Sequence, residues 1–428
     1  MSVTSITPAS TAAWLARDER ALAGMLSRCF DIVAVEGQST WLTDIEGRRF
    51  LDLTMGIAVN NVGHCHPRVV AAAEAQLRRL MHTSVTVHHQ GNVELAERLG
   101  LLCPFFVEPQ VFFCNTGAEA VDGAIKLARR TTGRPGVVAF RGAFHGRTLG
   151  AVSLTTAKAK YREGYEPLLG AVTVAPYAYP LRYGGDEDVA ARAALDALDE
   201  LLALQSPPTS IGAMVVEPVL GEGGYVVPPV AWLQGLRVRC DRHGILLVFD
   251  EVQTGMGRTG RPFAAETFGV RPDVVLFAKG VASGLPLGGI IAERAVLERW
   301  PTATHGSTFG GNPVSCAAAL ATLDVLAHDD LYARCRIAGD RLRSEIVEQA
   351  VTRPGVLEVR GVGLMIGIEL VSAAMAGAVQ RACLDEGLLV LTCGPAENVI
   401  RLIPPLTITD HELKLAVSIL GGALATHA

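Results

Sequence analysis

A chain of 428 residues, 49% hydrophobic and only 19% charged, carries enough apolar side chain for a large buried core, which excludes an intrinsically disordered protein. Its formal charge of -5 offers no basic field to a phosphate backbone, so nucleic acid is excluded as an expected partner and small acidic or neutral metabolites remain. No apolar run approaches the roughly 18 residues that a membrane span requires, and no membrane association is expected.

From the start of the chain, Met1 to Pro8 contain no basic leader, and Arg17, Asp18, Glu19 and Arg20 break the next apolar stretch, so no signal peptide is expected. Short β-branched or apolar runs then alternate with stretches of helical period: Val111 to Cys114, Val137 to Phe140, Ile211 to Val216, Ile245 to Phe249 and Val274 to Ala278. Runs apolar on both faces predict central strands of a mainly parallel sheet covered by helices. From about Val314 the pattern becomes two long helical stretches, then alternating strands (Leu357 to Leu370, Leu388 to Thr392, Val399 to Leu402) and a terminal helix from Asp410. The expected organisation is a large α/β domain over residues 56–313 and a smaller α+β domain over 314–428, with an N-terminal segment, 1–55, joining the smaller domain. The nine cysteines are scattered without a C-x-x-C spacing and read as reduced packing residues of a cytoplasmic protein.

Three segments carry chemistry. Phe112-Phe113-Cys114-Asn115-Thr116-Gly117-Ala118-Glu119-Ala120 is an apolar run ending in a small polar turn that opens a helix through Ala124, Lys126 and Leu127. Such a turn presents free backbone N–H groups and the positive end of a helix dipole to an anion such as phosphate; an ordinary capped turn is the alternative. The run Ile245 to Phe249 drives a strand through the core and ends on Asp250 and Glu251, at the sheet edge where open α/β folds bind ligands. A carboxylate buried there is costly unless it meets a cation, so Asp250 requires a positive partner, either a protonated pyridine nitrogen or a structural arginine. Asp273 to Gly280 contains a third such strand, ending on Lys279. Desolvation would lower the pKa of that amine and make it a Schiff-base former and proton shuttle, unless it only snorkels to solvent. An anion turn, a strand-end aspartate and a strand-end lysine meet three requirements of one cofactor, pyridoxal 5'-phosphate: its phosphate, pyridine nitrogen and aldehyde.

The stretches Asn115 to Ala120, Phe144-His145-Gly146-Arg147-Thr148, Glu217 to Gly224, Asp250-Glu251-Val252-Gln253-Thr254-Gly255 and Thr308-Phe309-Gly310-Gly311-Asn312-Pro313 stand in collinear order between about Leu42 and Thr409. Together they resemble the class III (omega-amino acid) aminotransferases, nearest in motifs to those for 4-aminobutyrate and acetylornithine. The resemblance implies the fold-type I architecture, amino acid and 2-oxo acid substrates, and a homodimer with active sites shared at the subunit interface. It puts the cofactor phosphate on the N–H groups of Gly117 and Ala118, with the partner subunit's Thr308 reaching over. Phe144 would stack on the pyridine face, Asp250 would pair with the ring nitrogen, Gln253 would bond the phenolic oxygen and Lys279 would join the aldehyde.

By the same resemblance, Arg147 holds a substrate carboxylate, for which a guanidinium fork is well shaped. Arg401, in Asn398-Val399-Ile400-Arg401, binds the α-carboxylate of glutamate and pairs with Glu222 when the other substrate lacks that group. Ile57 matches an apolar wall of 4-aminobutyrate enzymes, whereas Leu220 stands where many members have glutamine, which bears on the polarity of the pocket near the cofactor.

Two motifs point elsewhere and are set aside. Gly361-Val362-Gly363-Leu364-Met365-Ile366-Gly367 imitates a dinucleotide fingerprint, but its third glycine is one residue late and the following residues alternate as a strand. His64-Cys65-His66 offers metal-ligand types without a further ligand set, and no metal is expected; Glu266, Arg258 and His305 read as structural or rim residues. The leading expectation is ping-pong transfer of an amino group from an omega-amino acid to 2-oxoglutarate, with acetylornithine or ornithine donors as close variants. A racemase or epimerase on the same scaffold is the second reading, and a non-catalytic or nicotinamide-dependent protein is disfavoured by Lys279 and Asp250.

Overall fold

The computed structural model describes residues 10–350 and 352–428, so the expectation about Met1 to Pro8 lies outside the described residues. In chain order the strands are β1 (Ala34–Gln38), β2 (Trp41–Asp44), β3 (Arg49–Asp52), β4 (Pro109–Cys114), β5 (Gly136–Phe140), β6 (Val172–Ala175), β7 (Ile211–Val216) and β8 (Leu246–Asp250). They continue with β9 (Val274–Phe277), β10 (Gly288–Glu293), β11 (Val356–Val362), β12 (Met365–Leu370), β13 (Leu388–Leu389), β14 (Leu391–Cys393) and β15 (Val399–Leu402). Among the described residues they form three sheets, ordered β1-β2-β3-β13, β4-β10-β9-β8-β7-β5-β6 and β11-β12-β15-β14.

Alternation along the strands builds two cores on the seven-stranded sheet. Val138, Phe140, Met214, Val216, Leu247, Phe249, Val275 and Phe277 belong to one apolar cluster, while the residues between them, Val137, Ala139, Ala213, Val215, Val248, Val274 and Leu276, belong to another. Each strand therefore buries both faces, as an unbroken apolar run requires. A large apolar side chain fully buried in this way contributes roughly 1.5–3 kcal/mol, so charge is tolerated only where a strand leaves the core, at Asp250 and just beyond Phe277.

Pairing is parallel along β9-β8-β7-β5-β6 and antiparallel where β10 lies between β4 and β9. Strand β10 is absent from the expected elements because its opening Gly288-Gly289 hides the apolar run behind it. Glycine is needed there: a Cβ on Gly289 would lie 2.3 Å from the Phe112 carbonyl oxygen and 2.6 Å from the Phe277 ring.

The expected strand from Leu357 to Leu370 is a hairpin of β11 and β12, turned at Gly363 with φ +55°. The dinucleotide imitation is thus part of a hairpin, with no helix to receive a pyrophosphate. Leu388 to Thr392 divides between two sheets: β13 pairs in parallel with β3, and β14 pairs with β15. The N-terminal strands are tied to the end of the chain a second time by Glu412, in the first turn of the helix Asp410–His427. Its carboxylate accepts hydrogen bonds from Trp41 Nε1 (2.8 Å) and the Thr40 hydroxyl (3.2 Å). Among the described residues no helix is long and apolar enough to cross a membrane.

Candidate active site

The carboxyl ends of β8 and β9 and the helix that follows β4 surround a cavity of about 380 Å³ lined by Gly117, Ala118, Phe144, His145, Glu217, Asp250, Gln253 and Lys279. At one end, β4 runs into a capping box: the Thr116 hydroxyl accepts the Glu119 N–H (3.2 Å) and the Glu119 carboxylate accepts the N–H groups of Asn115 (2.8 Å) and Thr116 (2.9 Å). The box leaves the amides of Gly117 and Ala118, the first two of the helix Gly117–Thr132, without intrahelical acceptors, beside the positive end of the dipole. Gly117 is required by packing, since a Cβ would lie 2.9 Å from the methyl groups of Val252.

Asp250 and Glu251, adjacent in sequence, part company in space. Glu251 turns away from the cavity and accepts the Thr254 hydroxyl (2.5 Å) and the N–H groups of Ala264 and Ala265 (2.8 Å each), which pins the following loop; burial raises its carboxyl to about 7. Asp250 faces the cavity, and its Oδ2 lies 2.7 Å from His145 Nδ1 while Oδ1 accepts the Val252 N–H (3.1 Å). Burial alone would lower the His145 pKa, but the hydrogen bond and charge of Asp250 outweigh it and raise it. Asp250, expected to meet a cofactor nitrogen or an arginine, thus already has a histidine as its hydrogen-bond partner.

Lys279 is the first residue after Ala278 at the end of β9, in a left-handed conformation (φ +47°) that turns its amine into the cavity wall. Burial lowers its pKa to about 8 against the opposing charges of Asp250 and Glu217, so it does not snorkel. Glu217 is itself buried; it accepts the N–H groups of Phe144 (2.8 Å) and Gly221 (2.9 Å), and burial raises its pKa well above the ordinary carboxyl range. Gln253 accepts the Tyr225 hydroxyl at Oε1 (2.6 Å), which orients its amide and leaves Nε2 as a donor.

The expected substrate residues sit further out. Arg401 is buried, and its Nη1 lies 2.9 Å from Glu222 Oε2. The other oxygen, Oε1, lies 3.0 Å from Lys158 Nζ and accepts the Tyr161 hydroxyl (2.9 Å). Arg147 is exposed, with its guanidinium 4.2 Å from the Tyr161 ring centroid. Ile57 is 45% exposed on a turn, Met55–Ala58, whose four residues all have positive φ, and its neighbour Val59 reaches the cavity. Thr308 is exposed and does not line this cavity.

Leu220 lines a separate cavity of about 180 Å³ with Tyr177, Tyr179 and Pro395, so its side chain does not set the polarity around Lys279. His64 pairs with Asp52 (2.8 Å), and among the described residues no cluster of three or more His, Cys, Asp and Glu could hold a metal. Sequence reasoning missed the roles of His145, Glu217, Tyr225, Lys158 and Tyr161. The first two stand inside quoted motifs; the others come from loops without periodicity. A larger open hollow, about 1180 Å³, is lined by Val93, Leu101, Phe112 and Trp300 and contains none of the expected site residues.

The donor set around Lys279 fits pyridoxal phosphate: two free helix-terminal amides for a phosphate, a braced aspartate for a pyridinium, an oriented amide for a phenolate and a buried amine for an aldehyde. A seven-stranded sheet with that chemistry at its edge defines a pyridoxal-phosphate-dependent transferase of fold-type I. The comparisons sharpen this. Residues 25–424 match the family model for Aminotransferase class-III. The chain is 38% identical over 413 residues to the 4-aminobutyrate aminotransferase GabT of Escherichia coli (strain K12), covering 94% of this chain and 96% of that one. It is 42% identical over 393 residues to the acetylornithine aminotransferase of Mycobacterium leprae (strain TN), covering 92% and 91%. Its fold matches an amine transaminase from an uncultivated Pseudomonas species, solved in a PLP-bound form, with TM-score 0.89 and 32% identity over 95% of this chain and 98% of that one. The chain belongs to the class III aminotransferases, and its cofactor is pyridoxal 5'-phosphate.

Proposed function

We propose that the protein transfers an amino group from an omega-amino acid of the 4-aminobutyrate kind to 2-oxoglutarate in two half-reactions at one site. The observation that carries this reading is the pairing of the buried Arg401 with the half-buried Glu222. A donor without an α-carboxylate leaves the pair closed, so Arg401 stays neutralised; an acceptor with an α-carboxylate takes Arg401 for itself, and Glu222 gives way. The exposed Arg147 then serves the carboxylate at the far end of either substrate, and Ile57 with Val59 lines the aliphatic chain. Donors named for the relatives, 4-aminobutyrate and acetylornithine, both present an amine remote from the α-carbon.

Pyridoxal phosphate, when bound, supplies an electrophilic aldehyde and a ring that withdraws negative charge from the carbon losing its proton. Gly117 and Ala118 would hold its phosphate by their amides, and Phe144 would pack on the ring face. Asp250, held by His145, would keep the ring nitrogen protonated, and Gln253 would donate to the phenolic oxygen. Lys279 Nζ, with a pKa of about 8, can accept and return the proton of the amine-bearing carbon near neutral pH.

The exposed apolar side chains of Val85, Val87, Leu101, Val107 and Phe309 support a homodimer that buries them and brings the partner's Thr308 to the phosphate. The pairing of β13 with β3 supports placing segment 1–55 with the smaller domain 314–428, beside a large domain of 56–313. Nine free thiols fit the cytoplasm.

The test is a single-turnover measurement of each half-reaction, read through the cofactor's absorbance. Arg401→Ala should slow the 2-oxoglutarate half by about a hundredfold, the cost of losing a bidentate charge-assisted contact, and the amine half far less. Glu222→Gln should reverse that order, because Arg401 is then uncompensated in the amine complex. Equal losses in both halves for Arg401→Ala would remove the switch.

A further inference from the structure

Glu222 does not belong to Arg401 alone. Its two carboxylate oxygens are divided between two cationic stations: Oε2 faces Arg401 Nη1 at 2.9 Å, and Oε1 faces Lys158 Nζ at 3.0 Å and the Tyr161 hydroxyl at 2.9 Å. Lys158 is held in place by Glu397 on its other side, at 3.3 Å, and its side chain is only 10% exposed. Tyr161 is fixed from behind by the Arg147 guanidinium, 4.2 Å from its ring centroid. A carboxylate leaving Arg401 would otherwise be stranded in a poorly solvated pocket, which is costly for an ion. Here the second cation and a hydroxyl donor are already bonded to it.

We propose that Lys158 and Tyr161 form the receiving station for Glu222, the place to which its charge is transferred whenever a substrate α-carboxylate occupies Arg401, and that Lys158 thereby sets the preference for α-carboxylate substrates. A rotation of the Glu222 side chain that keeps Oε1 on Lys158 and withdraws Oε2 is enough; no other group has to move across the site. Lys158 is a positioning residue that acts through Glu222. The inference rests on the two-substrate reading above, and extends it from a two-member pair to a four-member relay.

Glutarate, a dicarboxylate that carries neither the amine nor the oxo group, isolates binding from chemistry. Calorimetric titration of the holoenzyme with glutarate should show Lys158→Met weakening binding about tenfold, the worth of one charge-assisted hydrogen bond, and Lys158→Arg recovering most of the loss. In single turnovers Lys158→Met should shift the ratio of the oxo-acid to the amine half-reaction by a similar factor against the oxo acid. In a Glu222→Gln background, where no charge needs a receiver, the same substitution should change glutarate binding less than about twofold. An undiminished effect of Lys158→Met in that background would mean that Lys158 touches the substrate itself and would overturn the relay, as would a wild-type Kd in the single variant. Arg401→Ala is the control for the underlying reading: if it leaves glutarate binding intact, the two-substrate switch fails on its own account, whatever Lys158 does.

Discussion

At the scale of single residues the site is an exercise in keeping charge buried without stranding it. Asp250 is braced by His145, Gln253 is oriented by Tyr225, and at Lys279 burial, aided by the charge of Arg401, outweighs the fields of Asp250, Glu217 and Glu222, so its pKa falls to about 8. A lysine amine reacts with an aldehyde only when neutral, and the neutral fraction grows as pH rises through the pKa. Covalent uptake of pyridoxal phosphate by the apoprotein should therefore accelerate up to about pH 8 and then level off. An uptake rate still climbing near pH 10, where an ordinary lysine titrates at roughly 10.4, would refute the lowered pKa. Lys279→Ala should abolish the borohydride-stable adduct.

At the scale of elements, the turn Met55–Ala58 is the strained piece. Its φ values are +46°, +61°, +63° and +62°, and only the second belongs to glycine; a β-branched Ile57 in that region costs about 1–2 kcal/mol. Asp52 holds the turn down: Oδ1 accepts the N–H groups of Thr54 (2.7 Å) and Met55 (3.2 Å), and Oδ2 bonds His64 at 2.8 Å. The His64 that imitates a metal ligand in the sequence is thus a latch on a strained turn, which leaves Ile57 exposed two residues before the cavity-lining Val59. Ile57→Gly should relieve the strain, leaving the thermal midpoint unchanged or slightly raised, while KM for an omega-amine donor rises several-fold with the apolar wall gone. A large drop in thermal midpoint with an unchanged KM would show that Ile57 serves packing alone.

For the whole molecule, Arg258 shows how the parts are locked together. It is fully buried, and its guanidinium donates to the carbonyls of Leu364 (3.0 Å) and Pro404 (2.6 Å) and to Asn61 Oδ1 (2.9 Å), joining the loop after Asp250 to the C-terminal sheet region. Neutral oxygens disperse its charge, and burial lowers its pKa. Thr308 and Phe309 are exposed, as are the apolar side chains of Val85 and Val87. Light scattering should report a dimer, and Thr308→Ala should weaken cofactor retention by about 1.5–3 kcal/mol, one charge-assisted hydrogen bond to phosphate. A fully active monomer would contradict that assembly.

What the sequence determined by itself is whatever is carried by local pattern. Unbroken apolar runs specify strands buried on both faces, and the residues at which those runs end, Asp250 and Lys279, are legible as cavity-lining candidates because charge cannot stay inside such a strand. The small polar turn at Thr116-Gly117 is legible for the same reason, since capping chemistry is local. Only the tertiary structure showed where Glu251 goes, because adjacent carboxylates differ by what lies opposite them, here His145 for Asp250 and the amides of Ala264 and Ala265 for Glu251. It alone revealed β10 behind its glycines and the left-handed turn at Ile57, whose strain is maintained by contacts from Asp52 and His64. It alone brought Lys158 and Tyr161 to Glu222, because contacts between side chains about sixty positions apart leave no periodicity in the chain.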